Sequence, residues 1–199
     1  MASNRAERMG KRSGLMGIID SLRYHEASRQ GLGLVLLLVC AYFTVPAGEN
    51  RIIAGFVIAA LGQLWRIYAA GVIYKNKRLA TTGAYSLVRH PLYFGNFLIL
   101  VGFTIACGNW IVALAVVFFL FFYYPAAIRY EDHKLQGLFG EEWQAWGTST
   151  PAMFPTRLKW RSNEEAEWNM RQSLIRNGEL VYTLFEVGAA FLLWYRAVP

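Results

Sequence analysis

Long apolar runs constrain this chain more than any other feature. Ala27–Pro46, Ile52–Tyr74, Leu92–Cys107, Trp110–Ile128 and Leu180–Tyr195 each approach the ~20 apolar residues that cross a ~30 Å hydrocarbon core as a helix rising ~1.5 Å per residue. With 55% of its 199 residues hydrophobic and 17% charged, the chain has more apolar surface than one soluble core of this size needs. The expectation is an all-α, polytopic transmembrane helix bundle of about five spans. The third and fifth runs are short, so they borrow flanking residues or meet a thin bilayer. Pro46-Ala47-Gly48-Glu49-Asn50 and Cys107-Gly108-Asn109 are turns short enough to make their flanking helices antiparallel.

Charge placement suggests an orientation, because Lys and Arg gather on the cytoplasmic side of short loops. An N-terminus inside collects Arg5, Arg8, Lys11, Arg12, Arg23 and Arg29 there, then Lys75, Lys77, Arg78 and Arg89. Arg129, Lys134, Arg157, Lys159, Arg161, Arg171 and Arg176 follow, which leaves Arg51 and Arg196 outside and Arg66 within a span. This predicts a multi-pass protein of the inner, cytoplasmic membrane with a cytoplasmic N-terminus. The same pattern accounts for the net charge of +7, with anionic lipid head groups rather than nucleic acid as the partner. No small-residue cleavage pattern follows the first run, so the basic arm is expected to be retained. Cys40 and Cys107 lie in apolar runs without a C-x-x-C, and neither disulfide nor metal chemistry is indicated. Three segments result. Residues 1–26 form a basic arm with a surface helix, suggested by Leu15, Ile18, Ile19 and Leu22 at helical spacing; residues 27–156 form the core; residues 157–199 form a cytoplasmic helix and a last span.

Polar residues concentrate at one boundary. In Gly83-Ala84-Tyr85-Ser86-Leu87-Val88-Arg89-His90-Pro91-Leu92-Tyr93-Phe94-Gly95, Pro91 suits the first turn of a helix and leaves Arg89 and His90 just outside it. About forty residues on, Arg129-Tyr130-Glu131-Asp132 leaves an apolar run and leads into Leu135, Phe139-Gly140-Glu141-Glu142-Trp143 and Trp146. In this order the two motifs resemble the membrane methyltransferases typified by isoprenylcysteine carboxyl methyltransferase and the phospholipid N-methyltransferases, over roughly Ile58 to Pro155. The resemblance implies S-adenosyl-L-methionine as cofactor. It would be bound from the cytoplasm, in a pocket built from the loop before span three and the helix after span four. It also implies a lipid or lipidated small-molecule substrate with a carboxylate or amine acceptor. Cofactor-binding roles fall by position on Lys77, Arg78, Leu79, Ala80, Tyr85, His90, Pro91, Leu92, Tyr93, Glu131 and Asp132.

Arg89 is the candidate for holding an anionic substrate group, since a guanidinium binds carboxylate or phosphate in a bidentate fork. Arg89 and Glu131 are the candidate catalytic pair, and Arg66 is a second candidate substrate contact. The prenylcysteine enzymes carry an Arg shortly before the acidic helix where this chain has Ala127, a departure that weakens any claim to a prenylcysteine substrate. Plainer readings exist for each residue: His90 as a helix cap, Glu131 and Asp132 as a solvated face, Glu141 and Glu142 as a surface pair, Trp143 and Trp146 as interfacial anchors. Tyr93 can be an anchor and a site residue at once.

Arg66 and Glu186 each lie ~12 Å inside a span. That equal depth predicts a buried ion pair with Gln63 as a third member, the alternative being that Arg66 lines the active site. Two other functions compete. An NADPH-dependent membrane reductase of the sterol or steroid type has a related H-P-x-Y-x-G turn, against which stand the short chain and the acidic helix. A non-enzymatic membrane partner protein with the same fold is opposed by intact Arg89, His90, Tyr93 and Glu131.

Overall fold

The computed structural model describes residues 26–74, 76–156, 160 and 168–198. The basic arm, the expected surface helix and half of the expected helix over 157–176 lie outside them. Among the described residues the fold is all-helical. In chain order it comprises α1 (Glu26–Tyr42), α2 (Glu49–Val72), a short α3 (Ala84–Leu87), α4 (Pro91–Cys107), α5 (Trp110–Phe118), α6 (Tyr124–Gly147) and α7 (Glu179–Ala197). A π-helical turn, Phe119–Tyr123, joins α5 to α6, and a second, Gln172–Arg176, precedes α7. The first lies just before Pro125, whose missing N–H leaves a carbonyl one turn back without its helical donor, and a widened turn absorbs that loss.

Among the described residues three helices are long and apolar enough to cross a membrane: α2, the stretch Trp110–Gly147, and α7. The apolar helices Gly31–Tyr42 and Pro91–Cys107 are shorter. That 38-residue stretch is well longer than the ~20 residues a hydrocarbon core needs. Its composition divides it: Trp110–Ile128 is apolar, and charged residues begin at Arg129. Large apolar side chains face outward along the long helices, among them Leu61, Leu64, Trp110, Phe121, Val181 and Phe191, the surface a bundle offers to lipid.

The centre of the bundle is the antiparallel pair α2 and α4. Gly55 and Gly62 on α2 face Gly102 and Gly95 on α4, and a Cβ placed on Gly62 would stand 2.7 Å from the Gly95 carbonyl oxygen. Small residues on both faces are what let the two backbones touch. Leu37, Cys40, Ile52, Phe103 and Leu193 fill the space between this pair and the flanking α1 and α7.

The two ends of the bundle are tied differently. At one, Arg51 donates to the carbonyls of Val45, Ala106 and Cys107, and Asn109 caps α5 by accepting from the N–H groups of Ile111 and Val112. At the other, α2 runs out at Ile73 and its last carbonyls have no partner within the helix. Residues 168–177 supply them: Asn177 Nδ2 donates to Ala70 (2.7 Å) and Gln172 Nε2 to Ile73 (3.0 Å), while Ser173 Oγ adds a bond to the Ile67 carbonyl a turn earlier (2.7 Å). The backbone N–H of Asn169 reaches Gly71. The chain before α7 is thus a cap on α2, and the site lies at this end.

Candidate active site

Pro91 opens α4, and Arg89 and His90 before it are pinned through their backbones, their N–H groups donating to the carbonyls of Pro151 (2.8 Å) and Ala152 (2.9 Å). The Arg89 side chain completes the clamp. Nη1 donates to the Gly147 and Thr150 carbonyls (2.7 and 2.6 Å), Nε to Asp132 Oδ1 (3.2 Å) and Nη2 to Asp132 Oδ2 (2.8 Å). Four of the five guanidinium N–H groups are committed in this way. His90 Nε2 stands 2.8 Å from Asp132 Oδ1. Burial alone would push the Asp132 carboxyl upward, but the contacts with His90 and Arg89 outweigh it and hold the group below the usual carboxylate range.

Neighbouring residues on a helix point about 100° apart, so Glu131 and Asp132 part company: Asp132 turns to the clamp and Glu131 to a cavity of ≈ 140 Å³. The loop after α2 contributes Arg78, Leu79 and Ala80 to its wall, α3 contributes Tyr85, and the start of α4 contributes Arg89 to Tyr93 and Asn96. Glu131, Lys134, Leu135, Phe139 and Trp146 come from α6, and Asn177 and Glu179 from the start of α7. Tyr93 is held edge-on between His90 (5.7 Å) and Tyr124 (5.2 Å). The Arg78 guanidinium lies 4.4 Å over the Tyr74 ring.

Gly140 explains how two distant aromatics of one helix meet the same cavity. At φ 52° and ψ −120° it breaks α6, in a region that side chains other than hydrogen enter only at a cost of about 1–3 kcal/mol. The break carries Trp146 inward against Ala69, Ala80, Ala84 and Tyr85. Trp146 is therefore buried and Trp143 is half-buried beneath the Arg89 guanidinium (5.9 Å), so neither is the interfacial anchor expected of them. Glu141 and Glu142 are exposed, as a surface pair would be.

Two polar atoms on the cavity residues lack an acceptor among the described residues: the Tyr85 hydroxyl and the Trp146 indole nitrogen. A buried donor left unpaired costs about 1–3 kcal/mol. Burial first, then the negative charge of Glu179, pushes the Tyr85 phenol upward, Glu131 adding to this and Arg66 opposing it; the group stays a neutral O–H donor.

Arg66 forms the inner wall. Its Nε and Nη2 meet Glu179 Oε2 (3.1 Å) and Oε1 (2.7 Å), and its Nη1 donates to Asn96 Oδ1. Arg66 is 4% exposed and Glu179 1%, so this is a bidentate pair away from water. The partner is Glu179 and not Glu186, which corrects the expected pairing. Helix α7 starts one residue earlier than the apolar pattern suggested, and its first residue, rather than its eighth, stands level with Arg66. Gln63 does join the pair, donating to Glu179 Oε2 (3.3 Å) and Thr183 Oγ1 (2.7 Å). Arg66 also lines the cavity, so the two roles weighed for it are not alternatives.

A model of the isoprenylcysteine carboxyl methyltransferase family matches residues 48–137. That segment is a little under half of the chain, and over it the chain is similar to this family. Among curated proteins, the nickel-cobalt-cadmium resistance protein NccN of Alcaligenes xylosoxydans xylosoxydans is 40% identical over 54% of this chain and 50% of its own. The cobalt-zinc-cadmium resistance protein CzcN of Cupriavidus metallidurans is 36% identical over 60% and 53%. Protein-S-isoprenylcysteine O-methyltransferase B of Arabidopsis thaliana is 30% identical over 41% of each chain. The chain thus spans about half the length, or less, of these relatives. No solved structure matches.

Within the segment similar to that family, the candidate residues Arg66, Arg78, Leu79, Ala80, Tyr85, Arg89, His90, Pro91, Leu92, Tyr93 and Glu131 surround one cavity. Lys77 does not line it, and Asp132 stands behind it in the clamp. Sequence reasoning missed Asn96, Lys134, Leu135, Phe139, Trp146, Asn177 and Glu179 as wall residues. Phe139 and Trp146 were in the second motif and needed only the Gly140 break to be assigned inward. Asn177 and Glu179 lie beyond the family match altogether; the one available signal was an acid at the mouth of an apolar run, which needs a partner when buried.

Proposed function

We propose that the protein is an S-adenosylmethionine-dependent methyltransferase acting on a lipid or lipid-like substrate, carboxylate or amine, from the cytoplasmic side of a membrane that all five apolar helices cross. The observation that carries this reading is the meeting of both motifs at one cavity. Bound there, S-adenosylmethionine would supply an electrophilic methyl on a sulfonium, and displacement at such a carbon is accelerated mainly by alignment and local field. The wall suits that molecule. Glu131 offers a carboxylate for its ammonium, Arg78 a cation for its carboxylate, Phe139 and Trp146 flat apolar faces for its base, and Tyr85 and Trp146 two donors that lack an acceptor among the described residues.

Arg89 takes a different role from the one its position suggested. With its guanidinium committed to Asp132 and two carbonyls, it acts as a positioning residue that fixes the His90–Tyr93 turn against the end of α6, rather than as the anchor of a substrate anion. Calorimetry on the detergent-purified protein tests the donor site. S-adenosylhomocysteine should bind, and Glu131→Ala should weaken it at least tenfold, about 1.4 kcal/mol. Equal affinity in the variant would remove the acidic helix from the donor site. Incubating membranes with labelled methyl donor and identifying the labelled lipid by mass spectrometry would then give the acceptor.

A further inference from the structure

The cations on the cavity wall are engaged with groups of the protein's own. Arg89 is bridged by Asp132 and two carbonyls, Lys134 Nζ lies 4.0 Å from Glu131 Oε1, and Arg78 lies over Tyr74. Arg66 is held on both sides, with both Glu179 oxygens on one edge and Asn96 on the other. Its place matters as much as its partners. Arg66 stands six residues back from the end of α2 and Asn96 five into α4, so they form the wall deepest in the bundle, whereas Arg78, Lys134 and Phe139 stand at its loop end. With the donor's charged end assigned to Glu131 and Arg78, the deep wall is the part of the cavity left for the acceptor's head group.

An anion arriving there would find no uncommitted guanidinium and would stand beside the Glu179 carboxylate. Two anions on one arginine, away from water, repel strongly, and freeing Arg66 would strand Glu179 in a 1%-exposed position. We propose that Glu179 is a specificity-determining residue: by neutralising Arg66 it sets the acceptor end to take an amine head group and to refuse a carboxylate or phosphate one. This rests on the methyltransferase reading for its meaning, though not for its test. It also places substrate selection in α7, outside the segment shared with the methyltransferase family.

The probes are oleylamine and oleate, which share a tail and differ in head-group charge, titrated into the full-length protein in a non-ionic detergent. The parent should bind oleylamine about tenfold or more tightly than oleate, a difference of ~1.4 kcal/mol. Glu179→Gln leaves Arg66 charged and unpaired, and the preference should reverse in favour of oleate. The double variant Arg66→Gln, Glu179→Gln has the parent's net charge, controls for attraction to the micelle, and should prefer neither probe. Oleate binding as tightly as oleylamine to the parent overturns the proposal, as does an unchanged preference in Glu179→Gln. Should that single variant not fold, a parental preference retained by the double variant overturns it equally. Absence of S-adenosylhomocysteine binding, with the amine preference intact, refutes the methyltransferase reading and leaves the charge selection standing.

Discussion

Replacing Asp132 by Ala removes three contacts at once: two to the Arg89 guanidinium at 2.8 and 3.2 Å and one to His90 at 2.8 Å. Hydrogen bonds to charged groups are worth about 1.5–3 kcal/mol each, but these share one carboxylate and do not add. Removing one partner from a fully buried ion pair costs about 3–5 kcal/mol. Arg89 and Asp132 keep 18% and 17% of their side-chain surface in solvent, so water recovers part of that, and we expect a loss of about 2–4 kcal/mol. At ~2–4 °C per kcal/mol for a chain of this size, the melting temperature in detergent should fall by roughly 5–15 °C. Asp132→Asn keeps an acceptor oxygen without the charge and should fall between parent and Ala variant. Because Arg89 also holds the Gly147 and Thr150 carbonyls, proteolysis after α6 should accelerate in step. An Ala variant that melted within ~1 °C of the parent, with unchanged cleavage of that loop, would refute the clamp.

Acid should reveal the same contact. Asp132 is held below its ordinary carboxyl value, so its contribution is complete above the unfolded value of ~3.9 and is lost only as pH falls below it through the folded value; melting of the parent and of Asp132→Asn should converge below about pH 4, and a loss of the difference near neutrality would contradict this. Gly140→Ala forces a side chain into the φ 52° break at about 1–3 kcal/mol. It should lower the melting temperature and redshift tryptophan emission as Trp146 leaves its pocket, and an unchanged spectrum would mean the break does not set Trp146.

The apolar runs made the helices legible, because a span leaves a length and composition signature that needs no partner to read. The start of α4 was equally plain, Pro91 being confined by its ring to a helix's first turn. Contacts across the bundle were another matter. The Arg66 partner depended on the level of α7 relative to α2, and a shift of one residue in the start of α7, together with the choice of turn, moves an acid by up to ~10 Å along the axis. Asp132 and Glu131 were correctly seen as a pair, yet which of them faces the cavity depends on helix rotation, which adjacent acids do not encode. The Gly140 break was hidden for the reverse reason. A glycine inside a helical pattern is usually tolerated in place, and here it reverses which face Trp146 presents.

The pairing of Arg66 with Glu179 spans 113 residues of chain. At synthesis rates of about 5–20 residues per second, Arg66 is made roughly 6–23 s before its counter-charge. During that interval α2 holds an uncompensated guanidinium near its end, together with carbonyls that residues 168–177 have yet to cap. The cavity's deep wall therefore comes into being last, when α7 arrives. Assembly is timed by the tail of the chain: until it docks, α2 has reason to stay with water or with the insertion machinery rather than commit to its final depth.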